Sequence, residues 1–124
     1  MPSAWIIDDD DEMSHAVKLM LQLLEYRAEI FRDARSAARS LLAGKTPDVM
    51  ILDINMPEVS GMDMLEFLRM RKELKDIPVV MLSSETADVQ VDEALQRGAD
   101  AFVFKPVTVE ELEGAIARAR SART

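Results

Sequence analysis

Three short apolar runs in this chain end in charged residues of one kind of chemistry. Trp5-Ile6-Ile7 leads into Asp8-Asp9, Val49-Met50-Ile51-Leu52 into Asp53, and Ala101-Phe102-Val103-Phe104 into Lys105-Pro106. Apolar runs this short, bounded by polar residues and separated by helical patterns, belong to strands buried on both faces of a parallel sheet. Such a sheet points its strand ends the same way, so the three carboxylates and the ammonium meet at one edge. Open α/β sheets bind ligands just beyond that edge. Three carboxylates facing one ammonium suit a hard cation and a phosphoryl group.

The intervening segments supply the helices. Met13, Ala16, Val17, Met20, Leu21 and Leu24 recur at helical spacing, followed by a weaker, edge-like strand over Ala28–Arg32. Ser36–Ala43 reads as a short helix stopped by Gly44. The strand over Asp48–Leu52 is the strongest, and a helical pattern over Met62–Glu73 follows it. A fourth strand opens at Pro78 and runs to Leu82, and a helix over Val89–Arg97 stops at Gly98. After the fifth strand, Thr108 and Glu111 form a capping-box pattern for a helix with a basic end at Arg118, Arg120 and Arg123. Five βα units joined by right-handed crossovers predict a doubly wound parallel sheet with helices on both faces.

Composition excludes several classes. The 124 residues suffice for one domain with its own core, expected to span 1–124, and the first methionine only four residues before the first strand implies that nothing long precedes it. Cys is absent, so thiol and disulfide chemistry are out and a reducing cytoplasm is the expected setting. No run approaches the roughly 18 apolar residues of a membrane span, and the N-terminus lacks the pattern of a signal peptide. A net charge of −8 opposes direct nucleic-acid binding. The nine methionines read as adaptable core filling, and a single His15, expected to be partly exposed, leaves no basis for imidazole metal chemistry.

Each charged position has a plainer reading to be weighed. Charge runs such as Asp8–Glu12 are usually solvated loops. Here the run abuts a buried strand, so Asp8 and Asp9 sit at the strand end while Asp10 or Asp11 caps the next helix. A carboxylate pair beside Asp53 repels unless a cation neutralises it, and carboxylates with water suit Mg²⁺, Asp9 more clearly than Asp8. Asp53 fits a strand-end cap, a metal ligand or an acyl-phosphate nucleophile. Lys105 is expected as its counter-ion and then as a partner for a phosphoryl oxygen. Ser83 and Ser84 end the fourth strand at the same edge, as phosphoryl donors or as a helix cap.

In their order and spacing these residues closely resemble the receiver domain of bacterial two-component response regulators, along nearly the whole chain. The matching pieces are Ile6-Ile7-Asp8-Asp9, Met50 through Pro57, Gly61, Pro78 through Ser83, Arg97 through Phe102, and Lys105-Pro106. The resemblance implies a flavodoxin-like sheet of order 2-1-3-4-5 with five helices. It implies that Asp53 takes a phosphoryl group from the phosphohistidine of a sensor histidine kinase or phosphotransfer protein. By the same resemblance Asp9, Asp53 and the Asn55 carbonyl ligate Mg²⁺ directly and Asp8 through water. Ser83 and Phe102 form the switch pair, Lys105 binds a phosphoryl oxygen, and the peptide bond before Pro106 is cis. Phosphorylation then biases the fourth strand, fourth helix and fifth strand toward a second state read by an output partner or a following effector domain. The chain would be a signalling phosphoacceptor rather than an enzyme, monomeric or a weak phosphorylation-linked dimer.

Departures from the family pattern refine this. Ser84 replaces a smaller residue beside the switch position, and Val107 and Ala101 weaken the expectation of the transcription-factor type of dimer. Asn55 and Glu85 fall where relatives tune acyl-phosphate hydrolysis, in the direction of a short-lived signal. An aspartate-nucleophile phosphatase would carry a second Asp where Asn55 stands, and a flavodoxin-like carrier or P-loop enzyme would need a phosphate loop that the sequence lacks. The remaining alternative is a phosphorylation-independent interaction module, against which the intact set Asp8, Asp9, Asp53, Ser83 and Lys105 argues.

Overall fold

The computed structural model describes residues 1–84 and 88–123, with the backbone alone for 88–90. Five strands, β1 (Ser3–Ile7), β2 (Arg27–Phe31), β3 (Val49–Asp53), β4 (Val79–Ser83) and β5 (Ala101–Phe104), alternate with five helices. These are α1 (Asp11–Leu23), α2 (Ala34–Leu42), α3 (Gly61–Met70), α4 (Asp88–Gln96) and α5 (Val109–Ala122). All strand pairs are parallel, in the order β2-β1-β3-β4-β5. The register aligns Ile7 with Leu52 and Asp53 with Leu82, which brings the charged strand ends level.

Strand alternation divides the core into two layers. Trp5, Ile7, Met50, Leu52 and Met81 pack against the α2 and α3 face, with Leu41, Leu65 and Leu68. Ala4, Ile6, Ile51, Val80 and Val103 pack against α1 and α5, with Val17, Leu21, Leu112 and Ile116. Every residue of β3 and β4 is buried, as the near-continuous apolar runs require of central parallel strands. The edge strand β2 has no fully buried residue, which explains its weaker apolar signal. Among the described residues no helix is long and apolar enough to cross a membrane.

Helix ends account for most differences from the sequence-based expectation. Asp10 caps α1 by accepting from the Met13 amide, and Asp33 caps α2 two residues earlier than the periodicity suggests. The α3 helix carries a full capping box between Ser60 and Asp63. It stops at Met70 rather than continuing to Glu73, because Arg71 is extended and a turn returns the chain so that Leu74 is buried. Thr108 caps α5, but its hydroxyl donates to the Glu111 carboxylate, replacing the side-chain-to-backbone half of the expected capping box. Most methionines do fill the core, yet Met1 and Met70 are exposed, and His15 is exposed rather than partly so.

Candidate functional site

The site forms where β1, β3, β4 and β5 end together. Asp8 follows the last residue of β1 and is 1% exposed, while Asp53 closes β3 at 3%. Asp9, one residue further into the loop, is exposed. Each of the three offers a carboxylate oxygen, and these atoms lie within 4.8 Å of one another. Lys105, just past β5, reaches back across the edge. Its Nζ stands 3.3 Å from Asp8 Oδ2 and 3.6 Å from Asp53 Oδ1. The sequence reading paired Lys105 first with Asp53; Asp8 is the nearer partner.

The surrounding backbone holds these carboxylates in place. The Asp10 amide donates to Asp8 Oδ1 at 3.0 Å, and the Asn55 amide to Asp53 Oδ1 at 3.4 Å. The other oxygen of Asp8, Oδ2, is buried and makes no hydrogen bond, its one facing cation being the Lys105 ammonium at 3.3 Å. Two buried carboxylates that share a single ammonium leave negative charge uncompensated, and a cation beside Asp9 and Asp53 is the ligand that would offset it. The donor set is all oxygen with no imidazole or thiolate, so it fits a hard divalent ion. Lys105 is anchored by its own amide, which donates to the Ser83 carbonyl at 2.7 Å, and its bond to Pro106 is cis.

The remaining expected residues fall around this group. Ser83 ends β4 fully buried. Phe102 is half-buried on the α3 face and tilts against Phe104 at 5.1 Å. The Asn55 side chain and Ser84 are exposed at the mouth. Glu85 lies outside the described residues. Two more neighbours hold the site, Ser14, which the sequence reading passed over, and Gly61, which it named only as part of the resemblance. Ser14, on the buried face of α1, donates to the Asp8 carbonyl at 3.3 Å and so ties the acidic turn to its helix. Its signal was a hydroxyl at an apolar position of the α1 period. Gly61 starts α3 directly against the Asp53 peptide and donates to the Ile54 carbonyl at 2.9 Å.

Burial, with Asp8 close by, raises the Asp53 carboxyl to about 7, against a smaller opposing pull from Lys105. The folded protein then holds a proton that the unfolded chain releases near 3.8, so native Asp53 binds more protons between those two values. Stability of the metal-free protein is therefore full below about pH 4 with respect to this group and falls as pH rises through about 7. Asp53→Asn removes that slope and should stabilise the metal-free protein at pH 8 by on the order of a few kcal/mol. Urea unfolding in EDTA at pH 5 and pH 8 checks this; parallel wild-type and variant curves would sink it.

An open parallel sheet with an acidic cluster and a lysine at its strand ends defines a class of α/β signalling and phosphoryl-handling domains. The particular family follows from comparison with known proteins. Residues 4–117 match the response regulator receiver domain, and the chain belongs to that family. It is 32% identical over 108 residues to the chemotaxis protein CheY of Pseudomonas aeruginosa, covering 87% of each chain. It is 30% identical over 116 residues to the transcriptional regulatory protein AfsQ1 of Streptomyces coelicolor, covering 94% of this chain but 50% of that protein. Among solved structures, the signal receiver domain of a histidine kinase from Syntrophus aciditrophicus superposes with a TM-score of 0.86 at 30% identity, covering 98% of this chain and 92% of that one. The protein is a receiver domain of two-component signalling, with a clustered acidic site able to hold a metal ion.

Proposed function

We propose that Asp53 is the phosphoacceptor, taking a phosphoryl group from the phosphohistidine of a sensor histidine kinase or phosphotransfer protein in the cytoplasm. The observation that carries this is the placement of Asp53: buried at a strand end, grouped with Asp8 and Asp9, and 3.6 Å from Lys105. Asp9, Asp53 and the Asn55 carbonyl directly, and Asp8 through water, would hold Mg²⁺. Bound there, the ion neutralises charge on the transferring group.

The chain's own residues do the rest. An Asp53 carboxylate oxygen forms the bond to phosphorus as the donor's bond breaks. Lys105, already held at this edge by two carboxylates, turns its ammonium to a phosphoryl oxygen. The Ser83 hydroxyl donates to another, and Phe102 shifts inward as Ser83 moves. The added charge thereby biases β4, α4 and β5 toward the state read by an output protein or effector domain. Asn55 and Glu85 set how quickly the acyl phosphate hydrolyses, in the direction of a short lifetime. The domain is thus a phosphoacceptor that assists its own phosphorylation and dephosphorylation rather than an enzyme acting on a separate substrate.

Intact mass after brief exposure to acetyl phosphate tests this. A single phosphoryl adduct is expected with Mg²⁺, none without it, and none on Asp53→Asn. An unmodified wild type whose Mg²⁺ binding is confirmed separately would overturn the reading in favour of a phosphorylation-independent module.

A further inference from the structure

The corner between β2 and α2 gathers positive charge in an otherwise acidic domain. Residues 32–45 hold Arg32, Arg35, Arg39 and Lys45 against the single acid Asp33, in a chain of net charge −8. Arg35 occupies the first turn of α2, where the helix dipole disfavours a cation and the one acid alongside is the N-cap Asp33. The placement does not serve helix stability. All three arginines line one open cavity of about 450 Å³, together with the acids Asp9, Asp33 and Glu58. The cavity therefore opens onto the carboxylate group of the site.

The cations there are lightly held. Arg32 lies 3.5 Å from Asp11 and Arg35 lies 3.4 Å from Glu58, with both arginine side chains about two-thirds exposed. Exposed pairs of this kind contribute little and exchange readily for another anion. Arg39 donates to the Ser36 hydroxyl, and Asp33 is turned to its own helix, accepting from the Ser36 amide at 2.7 Å.

We propose that this arginine corner is the entry station for small acyl phosphate dianions, holding the phosphoryl group beside Asp9 before it reaches Asp53. The proposal rests on Asp53 being the phosphoacceptor. A dianion approaching three clustered carboxylates in a chain of this net charge is repelled unless cations flank its route. The transfer itself needs no proton. Asp53 forms a new P–O bond, the donor's acyl P–O bond breaks, and the donor departs as a carboxylate with the electron pair.

The test is a triple Arg32→Gln, Arg35→Gln, Arg39→Gln variant phosphorylated by acetyl phosphate and by the less charged phosphoramidate, at saturating Mg²⁺. At low ionic strength the second-order rate with acetyl phosphate should fall about five- to tenfold, and with phosphoramidate about two- to threefold. The deficit should fade near 0.5 M salt, where screening is strong. Mg²⁺ affinity, read separately by thermal shift, should rise, since removing cations helps a cation bind; structural damage would lower it. A matching triple to Lys should stay within about twofold of wild type. Unchanged rates, a salt-independent loss, weakened Mg²⁺ binding, or a Lys triple as slow as the Gln triple would each overturn the entry station alone. Failure of both donors on the wild type would overturn the phosphoacceptor reading and this proposal with it.

Discussion

Asp100→Ala should lower stability by about 3 kcal/mol or more. Asp100 sits at the end of the sheet opposite that site, with its side chain 4% exposed. Its Oδ2 accepts from Arg69 at 2.9 Å and from the Val79 amide at 2.9 Å, and its Oδ1 from Arg123 at 2.8 Å. The two arginines also bind carbonyls. Arg69 donates to those of Gly98, Lys75 and Ile77, and Arg123 to those of Gly98 and Lys75. One carboxylate thus joins the end of α3, the start of β4, the turn before β5 and the end of α5. Removing it leaves two poorly hydrated guanidiniums and an amide without their acceptor, which costs more than the pairing itself contributes. Burial already pushes the Arg69 guanidinium down, an effect Asp100 opposes. Buried pairs are little screened, so the deficit should persist in 1 M salt. Urea unfolding at low and high salt measures it; a loss below about 1 kcal/mol, or one erased by salt, would contradict the buried-clasp account.

Gly61→Ala should cost about 3 kcal/mol or more and should weaken divalent-ion binding in whatever fraction still folds. A Cβ at this position would lie 2.1 Å from the Asp53 carbonyl oxygen and 2.8 Å from the Ile54 Cα. Both contacts are backbone, so no rotamer change relieves them. The strand carrying Asp53 or the start of α3 has to move, and either shifts the carboxylate relative to Asp8 and Asp9. Gly114→Ala supplies the control. There a Cβ meets only the flexible tip of Arg118 at 3.5 Å, inside α5, and the change should stabilise by up to about 1 kcal/mol. Paired melts with Mg²⁺ titrations separate the two sites. Equal stability for both variants would contradict the close-approach account.

The fold was legible because parallel topology leaves a strong trace. Buried central strands must be apolar along their length, as residues 49–52 and 79–82 are, and the polar residue that ends each run, Asp53 or Ser83, lands at a known edge. Asp8, Asp9, Asp53 and Lys105 could be read as one group for that reason alone. What stayed hidden depends on distances between strands or helices. Nothing local shows that Lys105 lies nearer Asp8 than Asp53, since the difference is a few tenths of an ångström. The α3 pattern ran on to Glu73 because Arg71, Lys72 and Glu73 include no glycine or proline to mark the break after Met70. The Arg69–Asp100 pair joins residues 31 apart through the packing of α3 on the sheet. Ser14 was not singled out at all, and only the path of the β1–α1 turn shows the carbonyl it reaches.

The central claim is that one particular carboxylate of the three takes the phosphoryl group. The most direct measurement is borohydride reduction of the protein after acetyl phosphate and Mg²⁺, followed by peptide mass mapping of the reduced residue. Reduction at Asp53 alone, giving homoserine there and unmodified Asp8 and Asp9, is the predicted result. Reduction at Asp8 or Asp9, or at none of the three in protein that carries a phosphoryl adduct, would contradict the account.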